Sequence, residues 1–249
     1  NQRSHIAFTD LAISTERDCV SIIRIGEEPV LSPGPHGHFD EHGVYPSCVV
    51  RQNEIVYLYY IGWVQGVEAP LFYTSIGLAT SKDGVWFERD SPSPLLARSK
   101  HDPCLVTSPH VYIEKEHWRM SYVSGLKWSR NSDGLLQSHY HIKLADGSGP
   151  REWKRSGRVA IDFRPNETNI ARSTIITGGT VPYRMWFSYV HSSIGKYRIG
   201  YAESADGEIW HRKDELAGIP LDDEHCQEMM CYPAHFNIAG KYFMLFNGD

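Results

Sequence analysis

A strand–turn–strand motif recurs along this chain and limits its possible folds more than any other feature. It reads Ile-Gly-Leu-Ala-Thr-Ser-Lys-Asp-Gly-Val-Trp at 76–86 and Ile-Gly-Tyr-Ala-Glu-Ser-Ala-Asp-Gly-Glu-Ile-Trp at 199–210. A degenerate copy, Tyr-His-Ile-Lys-Leu-Ala-Asp-Gly, lies at 140–147 and is followed by Trp153. Asp-Gly between alternating strands predicts a β-hairpin, because glycine supplies the positive φ of the turn. Recurrence roughly every 60 residues indicates a repeat architecture.

Two further strands precede each hairpin. The first is short and apolar, and we expect first strands near 44–50, 106–113, 171–177 and 230–236. The second is aromatic and leads to a glycine or serine, as in Leu-Tyr-Tyr-Ile-Gly at 58–62. Four antiparallel strands per repeat is the composition of a β-propeller blade.

The number of repeats predicts an all-β, five-bladed β-propeller of four-stranded antiparallel blades, forming a single domain over residues 1–249 and incomplete at both ends. Residues 3–25 fit an outer pair of strands, three complete repeats follow, and residues 230–248 supply an inner pair. Four blades would result if the two half-blades closed together. The recurring Trp86, Trp153 and Trp210 are expected to be buried between blades.

Composition excludes several classes of function. The net charge of −5 is mild and unclustered, so neither nucleic acid nor an anionic membrane surface is an expected partner. No apolar run approaches the ~18 residues that span a bilayer. The five cysteines are odd in number and lack Cys-x-x-Cys spacing, which favours reduced thiols in a cytoplasmic protein. We expect no metal and no cofactor, although alternating histidines at 36, 38 and 42 leave metal binding as an alternative.

An acidic residue stands before or near the start of each first strand. These residues are Asp40 with Glu41, Asp102, Glu167 and Glu228. In a propeller the first strands line a central funnel, so carboxylates at this point of several blades are expected to converge. Glycoside hydrolysis uses two carboxyl groups, one as acid and one as base or nucleophile. Asp40, Asp102 and Glu228 are therefore the predicted catalytic residues. The alternative is that each acid is an ordinary turn or loop residue.

Other side chains in or beside the same strands suit a sugar ligand. The predicted substrate-binding residues are Glu41, Trp63, His110, His141, Arg172 and Tyr232. Residues that differ between repeats at one position more often serve a site, whereas residues common to every repeat usually serve the fold.

These motifs resemble the five-bladed β-propeller glycosidase superfamily, which includes arabinanases, invertases, levansucrases and mannoside phosphorylases. The hairpin sequence motif Ile-Gly-x-Ala-x-Ser-x-Asp-Gly is typical of that group. The segments Pro-Val-Leu-Ser-Pro-Gly at 29–34 and Phe-Asp-Glu-His-Gly-Val-Tyr-Pro-Ser at 39–47 are similar to a bacterial subfamily of glycosidase-like propellers. The resemblance implies a funnel that binds a small-molecule or oligosaccharide ligand.

Two functions from different classes follow as hypotheses. The first is a carbohydrate-active propeller that hydrolyses or transfers glycosides in its funnel. The alternative is a non-catalytic glycan-binding or scaffold propeller. Carboxyl groups about 5–5.5 Å or 6.5–9.5 Å apart would favour catalysis, whereas carboxyl groups engaged in salt bridges would favour the alternative.

Overall fold

The computed structural model describes residues 4–14, 19–221, 228–238 and 240–249, with side chains outside residues 8–20. Within these ranges the protein is all-β, as predicted, and its only helical segment is the short 3₁₀ turn Asp214–Leu216. No helix of the described ranges is long and apolar enough to cross a membrane. The chain divides into two compact units, Asn1–Leu96 and Ala97–Asp249.

The first unit contains an antiparallel hairpin and a four-stranded sheet. The hairpin joins β1 (Ile6–Ser14) to β2 (Cys19–Leu31). The sheet runs in the order β3 (Gly43–Gln52), β4 (Ile55–Gln65), β5 (Phe72–Ser81) and β6 (Glu88–Arg89), each strand antiparallel to the next. This is the predicted four-stranded repeat, referred to below as repeat 1.

The second unit contains two complete repeats and the start of a fourth. Repeat 2 comprises β7 (Leu105–Glu114), β8 (His117–Arg130), β9 (Leu136–Gly147) and β10 (Trp153–Ile161). Repeat 3 comprises β11 (Glu167–Thr177), β12 (Tyr183–His191), β13 (Tyr197–Ser204) and β14 (His211–Arg212). Repeat 4 begins with the hairpin of β15 (Met230–Ile238) and β16 (Lys241–Gly248). The first strands thus lie where the sequence predicts them, and the number of blades stays a prediction.

Two of the hairpin turns have the predicted Asp-Gly geometry. Gly84 adopts φ +80°, and the Ser81 hydroxyl accepts its backbone N–H at 2.8 Å. The Asp83 carboxylate accepts the backbone N–H groups of Val85 and Trp86, which lowers the pKa of Asp83. The turn at 204–209 repeats these contacts with Ser204 and Asp206. The Ser-x-Asp-Gly motif therefore encodes a turn whose backbone N–H groups are bound by its own Ser and Asp side chains.

The degenerate copy in repeat 2 differs from this expectation. Asp146 and Gly147 lie within β9 rather than in the turn, and Gly147 pairs with both Trp118 and Trp153. The connection instead runs through 148–152, where the Ser148 N–H bonds the Glu152 carbonyl. Interpreting the Asp-Gly pair of repeat 2 as a turn was wrong, because it lacks the preceding Ser-x that caps the other two turns.

The burial expected for the hairpin tryptophans is also incorrect. Trp86 is 70% exposed, and Trp153 and Trp210 are half-buried. Trp153 packs edge-on against Trp118, and Trp210 against Tyr183, both with ring centroids 6.4 Å apart. The equivalent of these two aromatic partners in repeat 1 is Val56, since all three residues pair with the last position of their third strands. Trp86 therefore lacks a ring to pack against at this position.

The Ile-Gly step of the motif has a packing reason. A Cβ atom on Gly77 would lie 2.2 Å from the Tyr60 ring, and one on Gly200 would lie 2.7 Å from the Phe187 ring. Both rings are fully buried directly opposite these glycines. The glycine thus lets an aromatic ring cover the backbone of the neighbouring strand.

This packing predicts a large effect of one methyl group. Gly77→Ala should lower the free energy of unfolding by about 2–3 kcal/mol, because the buried Tyr60 ring has to move. Gly149→Ala is the matched control, since its Cβ would meet no atom within 4 Å. Urea unfolding of both variants measures the difference. Equal midpoints for the two variants would contradict this account of the motif.

Candidate functional site

Each complete repeat contains a carboxylate before or at the start of its first strand and an arginine on its fourth strand, and the two form an ion pair. The pairs are Asp40–Arg89 at 2.9 Å, Asp102–Arg155 at 2.8 Å and Glu167–Arg212 at 2.7 Å. All three carboxylate side chains are 0–3% exposed. The same contact in three repeats joins the beginning of the repeat to its fourth strand.

Asp40 illustrates the enclosure of these acids. Its Oδ2 accepts hydrogen bonds from Arg89 Nε at 2.9 Å and from the Tyr60 hydroxyl at 3.2 Å. Arg89 also donates to the Ser32 carbonyl. The opposite oxygen, Oδ1, is buried without a hydrogen-bond partner and lies against Gly34, where a Cβ atom would be 2.1 Å away. No face of this carboxylate is open to a ligand.

Asp102 has the same arrangement with one addition. It accepts hydrogen bonds from Ser99 at 2.7 Å, Tyr122 at 3.1 Å and Arg155 at 2.8 Å. The buried ammonium of Lys143 lies 3.8 Å from its Oδ1 and donates to the His101 carbonyl. Lys143 occupies the position of Gly77 and Gly200 in the other repeats. Burial lowers the pKa of Lys143, and Asp102 opposes this effect.

These contacts show how each acid is held within its own unit. Asp40, Asp102 and Glu167 are each enclosed by their own repeat. Glu228 differs, since its side chain is 65% exposed and pairs with Lys196 at 2.5 Å. The structure therefore separates the predicted catalytic residues into two buried carboxylates and one exposed carboxylate.

A β-bulge interrupts the pairing of every first strand with its neighbour. The register shifts between Pro46 and Cys48, between Thr107 and His110, between Ala171 and Thr174, and between Cys231 and Ala234. In the second unit each bulge contains a non-glycine residue with positive φ: Ser108 at +48°, Arg172 at +29° and Tyr232 at +59°. Bulges re-aim side chains, and strained non-glycine residues cluster at functional sites. These three positions are the strongest site signal in the second unit.

Tyr232 lies in a cluster of tyrosines from successive repeats. The Tyr140 and Tyr197 hydroxyls are hydrogen-bonded, and the Tyr197 ring lies 5.5 Å from the Tyr232 ring. The Asn169 side chain contacts Tyr140 and donates to the Ser138 carbonyl at 2.9 Å. Burial raises the pKa of Tyr140 to about 12 and that of Tyr197 well above its ordinary value. Both phenols are neutral donors and acceptors at neutral pH.

His110 and His141 were both predicted to bind substrate, and both have their Nε2 atoms enclosed or engaged. His110 Nε2 accepts the backbone N–H of Ile175 at 3.1 Å, so the ring links β7 to β11. His141 is 5% exposed and pairs through Nδ1 with Asp162 at 2.9 Å. The His141 Nε2 is buried without a hydrogen-bond partner. Burial lowers the pKa of both imidazoles, that of His110 to about 3.

In the first unit, Glu41 and Trp63 are brought together by a histidine. Glu41 accepts the Gly37 N–H at 2.8 Å, which is the main reason that its pKa is lowered. The His42 Nδ1 lies 3.5 Å from Glu41, and its ring lies 5.6 Å from the Trp63 ring. Trp63 Nε1 donates to the Ser4 hydroxyl at 3.3 Å. No group of metal-ligating residues suited to an ion is found in the described parts of the chain.

Sequence reasoning missed Tyr140, Tyr197 and the arginine partners of the acids. A signal was present for each. Tyr140 and Tyr197 both stand two residues before the isoleucine of the third strand, and an arginine follows each hairpin tryptophan by two or three residues. Reading each recurring acid together with the recurring arginine would have predicted the ion pairs.

Comparison with known proteins gives relatives and a fold. No family model matches the chain. The uncharacterized proteins MT1551 and Rv1502 of two Mycobacterium tuberculosis strains are 34% identical over 243 residues, which is 97% of this chain and 77% of theirs. The beta-1,2-mannobiose phosphorylase of Thermoanaerobacter sp. is 23% identical over 219 residues, covering 82% of this chain and 69% of the relative.

Solved structures place the fold among the propeller glycosidases. A structure described as a glycoside hydrolase superposes with a TM-score of 0.68 and 17% identity, covering 94% of this chain and 72% of that one. The Bombyx mori GH32 beta-fructofuranosidase BmSUC1 gives a TM-score of 0.64 with 16% identity, covering 87% of this chain and 44% of that one. The chain belongs to the family of the mycobacterial proteins MT1551 and Rv1502, and its fold is that of the glycosidase-like β-propellers.

Proposed function

We propose that this protein is a carbohydrate-active enzyme that cleaves or transfers a glycosidic bond at the bulged face of its first strands. The observation that carries the proposal is the row of left-handed, non-glycine residues Ser108, Arg172 and Tyr232 at one point of three successive repeats. Three of the proteins named above support the choice of a sugar as ligand, because they carry the names of a mannobiose phosphorylase, a glycoside hydrolase and a beta-fructofuranosidase.

Backbone strain is the reason to place the site at these bulges. A non-glycine residue with positive φ costs on the order of 1–3 kcal/mol and persists only where the surroundings enforce it. Glycine would relieve the cost at all three positions, yet the chain has serine, arginine and tyrosine there. We infer that these side chains serve a ligand. Arg172 supplies a charged donor for sugar oxygens, and Tyr232 supplies an aromatic ring with a polar edge.

The proposal assigns the acid–base role to Glu228 and a structural role to Asp40 and Asp102. Glu228 lies two residues before the start of β15, and the bulge residue Tyr232 lies two residues after that start. The Arg198 side chain donates to the Glu228 backbone carbonyl. Asp40 and Asp102 would have to leave buried ion pairs to reach a substrate, and breaking such pairs is costly. Glu41, with His42 and Trp63 beside it, remains a proposed sugar contact of the first unit.

A test of the activity starts from the disaccharide named by a relative. Incubation of the full chain with β-1,2-mannobiose, with and without inorganic phosphate, distinguishes hydrolysis from phosphorolysis by its products. Sucrose and aryl glycosides extend the panel to the other named relatives. Products from any member support the enzyme, whereas sugar binding without product supports the glycan-binding alternative. That alternative is favoured by one observation, the enclosure of Asp40 and Asp102.

A glycine substitution separates strain from function. Arg172→Gly should leave the free energy of unfolding unchanged or raise it by up to about 1 kcal/mol, because φ +29° then carries no Cβ penalty. The same variant should lose at least tenfold in kcat/KM, since the sugar loses its charged donor. Chemical unfolding and product formation are measured on the same preparation.

Lys115→Gly is the matched control for this variant. Lys115 has φ +46° and lies in the β7–β8 turn, directly after the C-terminal end of β7. It should show the same or greater stabilisation with unchanged turnover. Unfolding of Arg172→Gly at markedly lower denaturant than the wild type would show that Arg172 serves the fold instead.

A further inference from the structure

We propose that Tyr140 and Tyr197 are positioning residues, which act through a chain of phenol groups to fix Tyr232 against a hydroxyl group of the bound sugar. The inference rests on the proposed function and extends it to residues from two other repeats. Tyr140 lies on β9, Tyr197 on β13 and Tyr232 in the bulge of β15.

The chain of phenol groups is continuous through Tyr197. The Tyr197 side chain hydrogen-bonds both Tyr140 and Tyr232. A phenol hydroxyl has one donor and can accept as well, so the central residue can bridge its two neighbours. Tyr140 continues the chain to Asn169, whose Nδ2 is held by the Ser138 carbonyl at 2.9 Å and whose Oδ1 accepts the Thr168 hydroxyl at 2.7 Å. The far end is thereby anchored to the backbone.

Tyr232, at the other end of the phenol chain, is also fixed by protein contacts but is open to solvent. The Tyr232 backbone N–H donates to the Ser188 hydroxyl at 2.7 Å, and its ring lies against Tyr197. Tyr232 is 36% exposed, whereas Asn169 at the far end is 7% exposed. A strained bulge residue with its backbone fixed and its ring supported has little freedom left. The phenol chain then sets where its hydroxyl lies.

The protonation state of the phenol groups determines whether they orient hydrogen bonds or supply a proton. Because burial raises the pKa of Tyr140 to about 12 and raises that of Tyr197 well above its ordinary value, neither phenol ionises near neutral pH. The chain therefore orients hydrogen bonds and does not supply the catalytic proton. A polarised row of hydroxyls suits another hydroxyl as its last member, which is the group that a sugar offers in excess.

A double-mutant cycle tests the coupling. Tyr140→Phe and Tyr232→Phe should each weaken binding of the tightest-binding sugar of the panel, beginning with β-1,2-mannobiose, by about tenfold. The double variant should lose little more than either single variant, because both break one chain. Tyr242→Phe is the control, since this 54% exposed phenol lies on the same hairpin as Tyr232 and should bind as the wild type does. Additive losses, or wild-type affinity in Tyr140→Phe, would overturn the inference.

A second readout needs no sugar. With ¹³Cζ-labelled tyrosine, the Tyr232 resonance of the unliganded protein should move in Tyr140→Phe and stay in place in Tyr242→Phe. An unmoved resonance overturns the phenol chain itself. A wild type that binds no sugar of the panel overturns both the sugar contact and the proposed function, whereas a wild type that binds while Tyr140→Phe matches it overturns this inference alone.

Discussion

Asp102→Asn should lower the free energy of unfolding by about 3–5 kcal/mol, the cost of removing one partner of a buried ion pair. The change keeps the shape of the side chain but leaves Arg155 and the buried Lys143 without their counter-charge. Tyr122 and Ser99 would also lose a charged acceptor. Thermal and urea unfolding measure the loss.

Asp146→Asn is the control for this change. Asp146 pairs with Arg158 at 2.8 Å in the same repeat, but it is 52% exposed. Exposed pairs contribute at most about 1 kcal/mol, so this variant should unfold close to the wild type. If Asp102→Asn also kept wild-type stability and lost only turnover, Asp102 would be catalytic as the sequence predicts, and the structural assignment would fail.

Acid should unfold the second unit in part through two neutral histidines. Burial lowers the pKa of His110 to about 3 and that of His235 to about 4, and the two rings lie 5.7 Å apart. The positive groups that face them, Arg172 for His110 and Arg184 for His235, act in the same direction. As the pH decreases, both imidazoles bind protons near pH 6.5 in the unfolded chain but only at lower pH in the folded protein. Stability is therefore complete above pH 6.5 and falls as the pH decreases toward 3.

The contribution of His110 can be isolated. A carboxamide can accept the Ile175 N–H without titrating, so His110→Gln should remove about 4–5 kcal/mol from the pH dependence between pH 6.5 and 3. His117→Gln, an exposed residue in the β7–β8 turn region, should leave the dependence unchanged. The free energy of unfolding is measured against pH for both variants. A curve of unchanged slope in His110→Gln would show that His110 is not buried in its neutral form.

The sequence predicts the strands well because their signals are local. Ser81, Asp83 and Gly84 cap one turn among themselves, and alternating apolar residues define the flanking strands. The burial of Trp86 was predicted wrongly, since it depends on Val56 standing where the other repeats have an aromatic residue. Val56 and Trp86 stand thirty residues apart in the sequence, so no local pattern relates the two positions.

The site could be predicted in composition but not in orientation. The sequence places acids before the first strands, yet whether Asp40 faces a ligand or Arg89 depends on a partner 49 residues later. Bulges and positive φ at Arg172 and Tyr232 follow from the register of whole strands, so they became visible only with the fold. Arg172 and Tyr232 were nevertheless among the predicted binding residues, and their roles stay predictions.

A crystal of the full chain soaked with the panel sugar that binds most tightly tests the central claim directly. The account predicts a sugar within hydrogen-bond distance of Arg172 and the Tyr232 hydroxyl, with Asp40 and Asp102 still paired to Arg89 and Arg155. A sugar bound elsewhere, with Arg172 and Tyr232 contacting only protein, would contradict it.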